Sequence, residues 1–513
     1  MIRGGVAILD FGSQYNQLIA RRIRELGVYC ELIPGNAPIS RVMEMEPAAI
    51  VLSGGPASVY DEFSPHPDPG IFQLGIPMLG ICYGMQLLAL HENGEVEGGH
   101  EREYGPARLR HDGDSDIFEF IESGLQAWMS HGDRVVRVPE SYRVAASTES
   151  LQIAAMADTD RKRYGVQFHP EVDHTVFGRR LLSNFVLRIA GISPSWNMKT
   201  FRRQAVESVR RELQGGGNVI LGLSGGVDSS VVAALLHQAV PDRFTPIFVD
   251  NGLLRMGERE SVEDTFRDHF GMPLKVMDGT GEFLEALRGV TDPEQKRKII
   301  GRVFIELFER AASEIENVTH LAQGTLYPDV IESVSFRGPS ATIKSHHNVG
   351  GLPERMNLKL LEPLRELFKD EVRRLGTELG LPRRMVARHP FPGPGLAVRI
   401  LGEVNAEDLD ILRRVDRIFI DYLLENGIYD DIWQAFAVLL PVRTVGVMGD
   451  ERTYDRVIAL RAVTSTDGMT ADWYRMDPEH LARVSSSIVN RVSGVSRVVY
   501  DISTKPPGTI EWE

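Results

Sequence analysis

Apolar runs of strand length alternate with helix-period segments through the first 190 residues. We predict strands at 6–11, 28–33, 48–53, 77–81 and 164–168, with helices near 14–26 and 85–91. Such alternation is typical of a mostly parallel sheet with helices on both faces. The pattern predicts a first domain over 1–190.

The alternation resumes after residues 191–195, Gly-Ile-Ser-Pro-Ser, which have the small-residue and proline content of a boundary. A helix is predicted at 196–213, strands at 219–223 and 244–249, and a helical run at 231–236. We therefore predict a second Rossmann-like domain over 195–388.

Residues 389–395, His-Pro-Phe-Pro-Gly-Pro-Gly, fit neither a helix nor a central strand and are predicted to form a rigid connector. Helices near 406–425 and 478–492 and strands near 444–448, 457–463 and 496–502 follow. The predicted fold class is α/β: two Rossmann-like parallel-sheet domains, then a smaller α+β dimerisation domain over 389–513.

Composition narrows the classes of function. The 513 residues suggest about three domains, and no apolar run approaches the ~18 residues that span a bilayer. Only two cysteines, Cys30 and Cys82, fit a reducing compartment, so we predict a cytoplasmic protein with no membrane partner. The net charge of -14 argues against a broad nucleic-acid surface but leaves small anionic substrates possible.

Cys82 lies in Gly-Ile-Cys-Tyr-Gly at 80–84, between a predicted strand and a helix. This is a nucleophile-elbow layout with cysteine in place of serine, at a helix N-terminus that favours thiolate. In His-Pro-Glu at 169–171, the spacing can direct His169 and Glu171 to one side. We predict His169 as the base and later the acid, and Glu171 as the group that orients it. The N–H of Tyr83 and one from the turn 53–56, with Gly55 as candidate, would form an oxyanion hole.

A second candidate site lies where strand 219–223 turns into a helix. The loop consists of Ser224, Gly225, Gly226, Val227, Asp228, Ser229 and Ser230. Its glycines, hydroxyls and helix-start N–H groups suit phosphate oxygens. Because the loop lacks the lysine of a G-x-x-x-x-G-K-[ST] motif, while Asp228 could hold a Mg²⁺ that bridges phosphates, cleavage between the α and β phosphates fits better than γ-phosphate transfer.

Three further stretches bear on this second site. Asp250 and Arg255 follow the strand 244–249 and should face the nucleotide, since ligands lie beyond the carboxyl ends of parallel strands. Lys369, at a predicted helix start, could reach the β and γ phosphates, although a solvated lysine remains an alternative. The polar loop 344–351 contains two adjacent histidines; these would point to opposite faces of a strand, so we favour a mobile anion-binding loop over a metal site.

Several motifs carry a family resemblance. Residues 10–15, 52–56, 80–86 and 169–171 resemble class I glutamine amidotransferases. The resemblance implies that Cys82, His169 and Glu171 hydrolyse glutamine to glutamate and ammonia through a thioester. Residues 130–133, Ser-His-Gly-Asp, lie where that family often contacts glutamine, with a solvated turn as the alternative. The loop at 224–230 resembles that of ATP-pyrophosphatases, which adenylate a carbonyl oxygen and release pyrophosphate.

In this order, the motifs resemble the glutamine-hydrolysing GMP synthetase family along the whole chain. The resemblance implies that Mg-ATP adenylates the C2 oxygen of XMP and that ammonia displaces AMP. It also implies a homodimer formed by the third domain, and XMP contacts from Arg255, Gln434, Lys505, Ile510 and Glu511. Gly508 is a minor departure, since the family more often has alanine there.

Two other functions remain as alternatives. An ATP-pyrophosphatase that transfers sulfur to tRNA would need a broad basic surface and usually a persulfide cysteine, and neither cysteine lies outside the first domain. A non-catalytic ligand sensor on an enzyme scaffold would carry degenerate catalytic residues, yet Cys82, His169, Glu171 and Asp228 are all present.

Overall fold

The structure is a computed structural model and describes residues 4–98, 103–334, 357–448, 451–465, 468 and 470–513. Its contacts divide the chain into two compact units, one built mainly from Met1–Phe201 and the other mainly from Arg202–Val330 and the described residues from 357 onward. Within the described residues, no helix is both long and apolar enough to cross a membrane. The predicted loop 344–351 lies outside the described residues.

A seven-stranded sheet forms the centre of the first unit. The strands of this unit are β1 Val6–Asp10, β2 Cys30–Pro34, β3 Ala49–Leu52, β4 Met78–Ile81, β5 Glu95–Glu97, β6 Glu103–Arg108, β7 Gln126–His131, β8 Arg134–Arg137, β9 Arg143–Ala146, β10 Ala155–Asp158 and β11 Arg163–Val166. Its α-helices are α1 Asn16–Glu25, α2 Ile39–Met43, α3 Tyr83–His91 and α4 Gly178–Ser183.

The central sheet has the strand order β2-β1-β3-β4-β11-β10-β9. Pairing is parallel from β2 to β11 and antiparallel from β11 to β9. Strands β3, β4 and β11 are buried at every residue, which explains the continuous apolar runs of β3 and β4. Strands β4 and β11 are neighbours, so the loops that follow them meet at one edge of the sheet.

The second unit begins with a five-stranded sheet. Its strands are β12 Asn218–Gly222, β13 Phe244–Asp250, β14 Lys275–Asp278, β15 Val318–Ala322 and β16 Lys359–Leu361. The helices up to residue 386 are α5 Met198–Glu212, α6 Val227–Ala239, α7 Glu258–Glu263, α8 Thr280–Leu287, α9 Pro293–Ser313, α10 Tyr327–Val334, α11 Lys369–Glu378 and α12 Arg383–Val386.

All pairs in this sheet are parallel, in the order β14-β13-β12-β15-β16. Strand β12 therefore has β13 on one side and β15 on the other. This is a topological switch point, where open parallel sheets bind ligands beyond the carboxyl end of the strand. The turn after β12 is the predicted phosphate loop.

The rest of the second unit is a mixed sheet with two helices. Its elements are α13 Ala406–Glu425, β17 Gln434–Met448, β18 Glu451–Thr464, β19 Asp472–Trp473, α14 Pro478–Arg491 and β20 Val495–Tyr500. Helix α13 is capped at its N-terminus by Asn405, whose side chain accepts a 2.9 Å hydrogen bond from the N–H of Asp408. Strand β18 pairs antiparallel with β17 and parallel with β20.

These observations confirm the predicted class: two parallel-sheet α/β parts followed by a smaller α+β part. One hydrophobic cluster joins Ile220 and Ile247 of the parallel sheet to Leu439 and Ile458 of the last sheet. The predicted domain ranges 1–190, 195–388 and 389–513 stay predictions.

Strand β17 begins ten residues before the predicted strand 444–448. The missed part is 434–443, and its residues 434–439 are all buried. Burial on both faces removes the alternation of polar and apolar residues that would have revealed a strand.

Candidate active site

Cys82 occupies the turn between β4 and α3. Its φ of 50° lies in the left-handed region that non-glycine residues rarely adopt. A Cβ on Gly80 would lie 2.5 Å from the carbonyl oxygen of Gly84, and one on Gly84 would lie 2.2 Å from that of Leu52. The tight packing admits only glycine on either side, and Cys82 is left in a strained strand-to-helix turn of the nucleophile-elbow kind.

His169 and Glu171 lie beside the thiol. Nδ1 of His169 is 2.7 Å from Oε1 of Glu171, and the Cys82 sulfur interacts electrostatically with the ring. Burial alone would lower the pKa of His169, but the Glu171 carboxylate and the Cys82 sulfur raise it to about 11. The imidazole is therefore held as a cation beside the Cys82 sulfur.

The two predicted oxyanion-hole residues lie next to this group. A Cβ on Gly55 would lie 3.3 Å from Cγ of Tyr83, and one on Gly54 would lie 3.2 Å from Cε1 of His169. Among the described residues, the N–H groups of Gly55 and Tyr83 have no hydrogen-bond acceptor. Both donors remain available to a ligand, and their role in an oxyanion hole stays a prediction.

Two side chains near the thiol were not predicted. Gln167 is fully buried, and its Nε2 lies 3.6 Å from Sγ of Cys82. The ring of Tyr15 meets that of His169 edge-on, with centroids 5.2 Å apart. Because Gln167 lies in the predicted strand 164–168, two residues before His169, strand periodicity could have placed it on the same side.

Residues 130–133 pack against the nucleophile. The carbonyl oxygen of Ser130 is 3.5 Å from Sγ of Cys82, and the carbonyl oxygen of Asp133 accepts a 2.8 Å hydrogen bond from Gln86. His131 is buried, with Nε2 3.3 Å from Oε2 of Glu103. Ser130 and His131 belong to β7, whereas Gly132 and Asp133 form a half-buried connection to β8, and contact with glutamine stays a prediction.

The loop at 224–230 has the form expected of a phosphate nest. Gly225 has φ 72°, and helix α6 begins at Val227. The Ser224 and Ser229 hydroxyls are 3.0 Å apart, and the Ser230 hydroxyl donates to the carbonyl oxygen of Gly226 at 2.7 Å. In the described part of the chain, the N–H groups of Gly225, Val227 and Asp228 lack acceptors, so these donors can bind an anion.

Asp228 and Lys369 form an ion pair at this loop. Nζ of Lys369 is 2.7 Å and 2.6 Å from the two carboxylate oxygens of Asp228. No group of three or more His, Cys, Asp or Glu side chains in the described residues is arranged to hold a metal. Mg²⁺ commonly takes one or two protein carboxylates and completes its shell with phosphates and water, so a single carboxylate such as Asp228 is compatible with a magnesium ion that arrives with a nucleotide, and its role as a magnesium ligand stays a prediction.

Two of the predicted XMP contacts, Gln434 and Glu511, touch each other. Nε2 of Gln434 donates to Oε1 of Glu511 at 2.7 Å. Arg399, which was not predicted, forms a bidentate pair with Glu511 through bonds of 2.9 Å and 3.1 Å. Glu511 is therefore held in one orientation before any substrate binds.

Phe391 connects Arg255 to this group. The guanidinium groups of Arg255, Arg388 and Arg399 lie 4.9 Å, 5.3 Å and 5.1 Å from the centre of its ring. Arg255 also pairs with Asp416 at 3.0 Å, and a cavity of about 400 Å³ lies beside these two residues. The predicted connector 389–395 thus contributes a side chain at the centre of the arginine cluster.

Arg388 links this cluster to the phosphate loop. Its Nη1 donates to the carbonyl oxygen of Gly225 at 2.9 Å, and its Nη2 lies 2.6 Å from Glu258. Asp250, predicted to face the nucleotide, accepts from the N–H of Gly252 and lies 3.3 Å from Arg259.

The remaining two XMP candidates, Lys505 and Ile510, have other partners in this structure. Nζ of Lys505 donates to the carbonyl oxygen of Gly468 at 2.8 Å. Ile510 is buried in a small apolar cluster with Phe436 and Val438. Among the described residues, no hydrogen bond or ion pair joins Lys505 to Arg255, Gln434 or Glu511.

Three family models match the chain. One described as glutamine amidotransferase class-I matches residues 7–189, one described as NAD synthase matches 200–295, and one described as GMP synthase C terminal domain matches 421–512. These matches agree with the cysteine on the strand-to-helix turn and its neighbouring histidine. Together they define the class of protein: a glutamine amidotransferase domain joined to a domain of the NAD synthase type.

Full-length relatives are named GMP synthase [glutamine-hydrolyzing]. That of Bradyrhizobium diazoefficiens is 57% identical over 99% of this chain and 93% of its own. That of a Rhodopseudomonas palustris strain is 58% identical over 99% and 95%, and that of Aquifex aeolicus is 56% identical over 100% of both. The chain belongs to the glutamine-hydrolysing GMP synthase family.

The raised pKa of His169 gives a pH prediction. Glu171→Gln removes the carboxylate that raises this pKa, so the imidazolium should be lost at lower pH. We expect the alkaline limit of glutamine hydrolysis to move down by more than about one unit. The pH profile of glutamate release measures the shift, with Glu119→Gln as a control that removes an acid paired with Arg188 at the surface. An unchanged alkaline limit in Glu171→Gln would contradict the assigned origin of the pKa.

Proposed function

We propose that the protein converts XMP to GMP with ammonia from glutamine, and that ATP is cleaved to AMP and pyrophosphate. The main support is that the first unit carries a cysteine elbow with a cationic histidine, while the second carries a phosphate loop at a switch point. Both occur in a chain that is 56–58% identical to GMP synthases over nearly its full length. The sulfur transferase and sensor alternatives receive no support from these relatives.

In the proposed first reaction, the Cys82 thiolate attacks the side-chain amide carbon of glutamine. The N–H groups of Gly55 and Tyr83 stabilise the oxyanion. His169 gives its proton to the departing nitrogen, so the C–N bond breaks, ammonia leaves and a thioester forms. The neutral imidazole then takes a proton from water, and the resulting hydroxide releases glutamate from Cys82.

In the proposed second reaction, the loop N–H groups hold ATP phosphates while the C2 oxygen of XMP attacks the α-phosphorus. Asp228 would hold Mg²⁺ together with phosphate oxygens, and the ion would supply positive charge for the leaving pyrophosphate. Lys369, now paired with Asp228, supplies a second positive charge at the same place. Ammonia then adds at C2, and AMP leaves with the former C2 oxygen.

For XMP itself, we propose that Glu511 accepts hydrogen bonds from purine N–H groups and that Lys505 meets the phosphate. The bidentate pair with Arg399 supports the role of Glu511, because it keeps the carboxylate fixed. Arg255, Gln434 and Ile510 complete the proposed contacts.

We further propose a homodimer through the sheet formed by β17 and β18. Val442, Val445, Val447 and Tyr454 leave 48%, 51%, 74% and 61% of their surface exposed. Val445 and Tyr454 are cross-strand partners, so these apolar side chains adjoin one another on the sheet. Apolar patches of this kind mark association surfaces.

The cytoplasm is the compartment we propose, because neither Cys30 nor Cys82 forms a disulfide and the chemistry needs a reduced thiol. Fractionation of cells tests this, and recovery in an oxidising compartment would contradict it.

Two complementary variants test the reaction scheme. Cys82→Ala should lose glutamine-driven GMP formation and keep ammonia-driven formation. Asp228→Asn should lose both by a factor on the order of 100 or more, because charge stabilisation at the scissile phosphates is lost, yet keep basal glutamine hydrolysis. The formation of GMP, pyrophosphate and glutamate is measured in both variants, once with glutamine and once with ammonium salt as the nitrogen source.

The scheme fails if Cys82→Ala is equally inactive with ammonium salt. A near-normal rate of pyrophosphate release by Asp228→Asn would contradict the role proposed for Asp228 in the phosphate loop.

Val447→Glu tests the dimer. A buried glutamate on an apolar contact is costly, so this variant should dissociate at concentrations where the unaltered protein has twice the chain mass of 57.2 kDa. Light scattering after size exclusion measures the mass, and Val144→Glu, a change at a 44% exposed valine in the first unit, is the matched control. Equal masses for Val447→Glu and the unaltered protein would place any interface elsewhere.

A further inference from the structure

Three cationic side chains bind the segment 505–513, and all three have no exposed surface: Lys296, Arg399 and Arg461. Among the described residues, these are the lysine and arginine residues with 0% exposure. Burial of a cation is unfavourable unless it is paired and hydrogen-bonded. Three such sites on one nine-residue segment indicate that the segment is held rigidly.

Arg461 fixes the backbone of this segment. Its Nε donates to the carbonyl oxygen of Ile510 at 2.8 Å, and its Nη2 donates to that of Thr509 at 2.9 Å. Nη1 pairs with Asp501 at 2.7 Å. The backbone immediately before Glu511 is therefore anchored to β18.

Arg399 fixes the side chain of Glu511. Besides the bidentate pair, its guanidinium lies 4.2 Å from the centre of the Phe436 ring and 5.1 Å from that of Phe391. The planar group stacked against aromatic rings has little freedom, so the carboxylate it binds has little freedom either.

Lys296, on helix α9, fixes the last residue of the segment and the backbone around Arg399. Its Nζ lies 2.5 Å from Oε2 of Glu513 and donates to the carbonyl oxygens of Ile400 at 2.7 Å and Ala397 at 3.2 Å. These two carbonyls flank Arg399 in the chain. One ammonium thus ties helix α9 to Glu513, two residues after Glu511, and to backbone carbonyls on both sides of Arg399.

We infer that Lys296, Arg399 and Arg461 form a clamp that holds 505–513 ready to receive the nucleotide substrate, with Lys296 as a positioning residue for Glu511. The inference rests on the proposed function, in which Glu511 contacts XMP. A segment ordered in advance loses little conformational entropy when XMP binds. Loss of the clamp should therefore weaken XMP binding and leave glutamine hydrolysis unchanged.

Lys296→Met tests the clamp, because it removes the ammonium and keeps a side chain of similar length. Glu513→Ala removes the opposite partner, and Glu513→Gln keeps an oxygen that can accept from Lys296. Arg302→Met, a change at an exposed arginine on the same helix that pairs with Glu306, is the matched control.

Each variant is assayed with ammonium salt for KM and kcat. We expect Lys296→Met and Glu513→Ala to raise KM for XMP about tenfold or more, with kcat and KM for ATP nearly unchanged. Glu513→Gln and Arg302→Met should stay within about twofold of the unaltered protein. Hydrogen exchange of the 505–513 peptide should be faster in the first two variants and slow again when XMP is added.

Unchanged KM for XMP in Glu513→Ala, together with unchanged exchange of 505–513, would overturn the clamp, and this holds even if Lys296→Met fails to fold. Glu511→Gln distinguishes an error in the proposed substrate contact from an error in the proposed clamp. If Glu511→Gln also leaves KM for XMP unchanged, the substrate contact itself is wrong; if it raises KM while Glu513→Ala does not, only the clamp is wrong.

Discussion

Both proposed sites depend on one constraint: a buried parallel strand must turn into a helix within a few residues. The turn after β4 places Cys82 at φ 50°, and the turn after β12 places Gly225 at φ 72°. At each turn, helix-start N–H groups are left without acceptors in the described chain. The first turn combines these donors with a thiol, and the second combines them with hydroxyls and a carboxylate. The same backbone arrangement therefore provides hydrogen-bond donors for two different proposed reactions.

Such turns could be predicted from the sequence because their evidence is local. The glycines around Cys82 and the serines around Asp228 fall within a few residues of each other, next to apolar runs. His169 and Glu171 could be predicted for the same reason, since their spacing of two residues brings them to one side. Family resemblance added the roles of the more distant Gln434 and Glu511.

The clamp could not be predicted, because its partners are far apart in the chain. Arg399 and Glu511 are separated by 112 residues, and Lys296 and Glu513 by 217. A lysine on a long helix is ordinarily solvated, and nothing local marks Lys296 as buried. The segment 389–395 was predicted only as a connector: its prolines and glycines indicate rigidity, but no local signal shows that Arg388, Arg399 and the distant Arg255 converge on the Phe391 ring.

The central claim is that an oxygen of XMP is adenylated in the second unit and replaced by nitrogen released in the first. XMP labelled with ¹⁸O at C2, incubated with the unaltered protein, Mg-ATP and glutamine, tests it most directly. The account predicts equal amounts of GMP, AMP and pyrophosphate, with the label in the phosphate of AMP. Label in inorganic phosphate with formation of ADP, or pyrophosphate release without GMP, would contradict it.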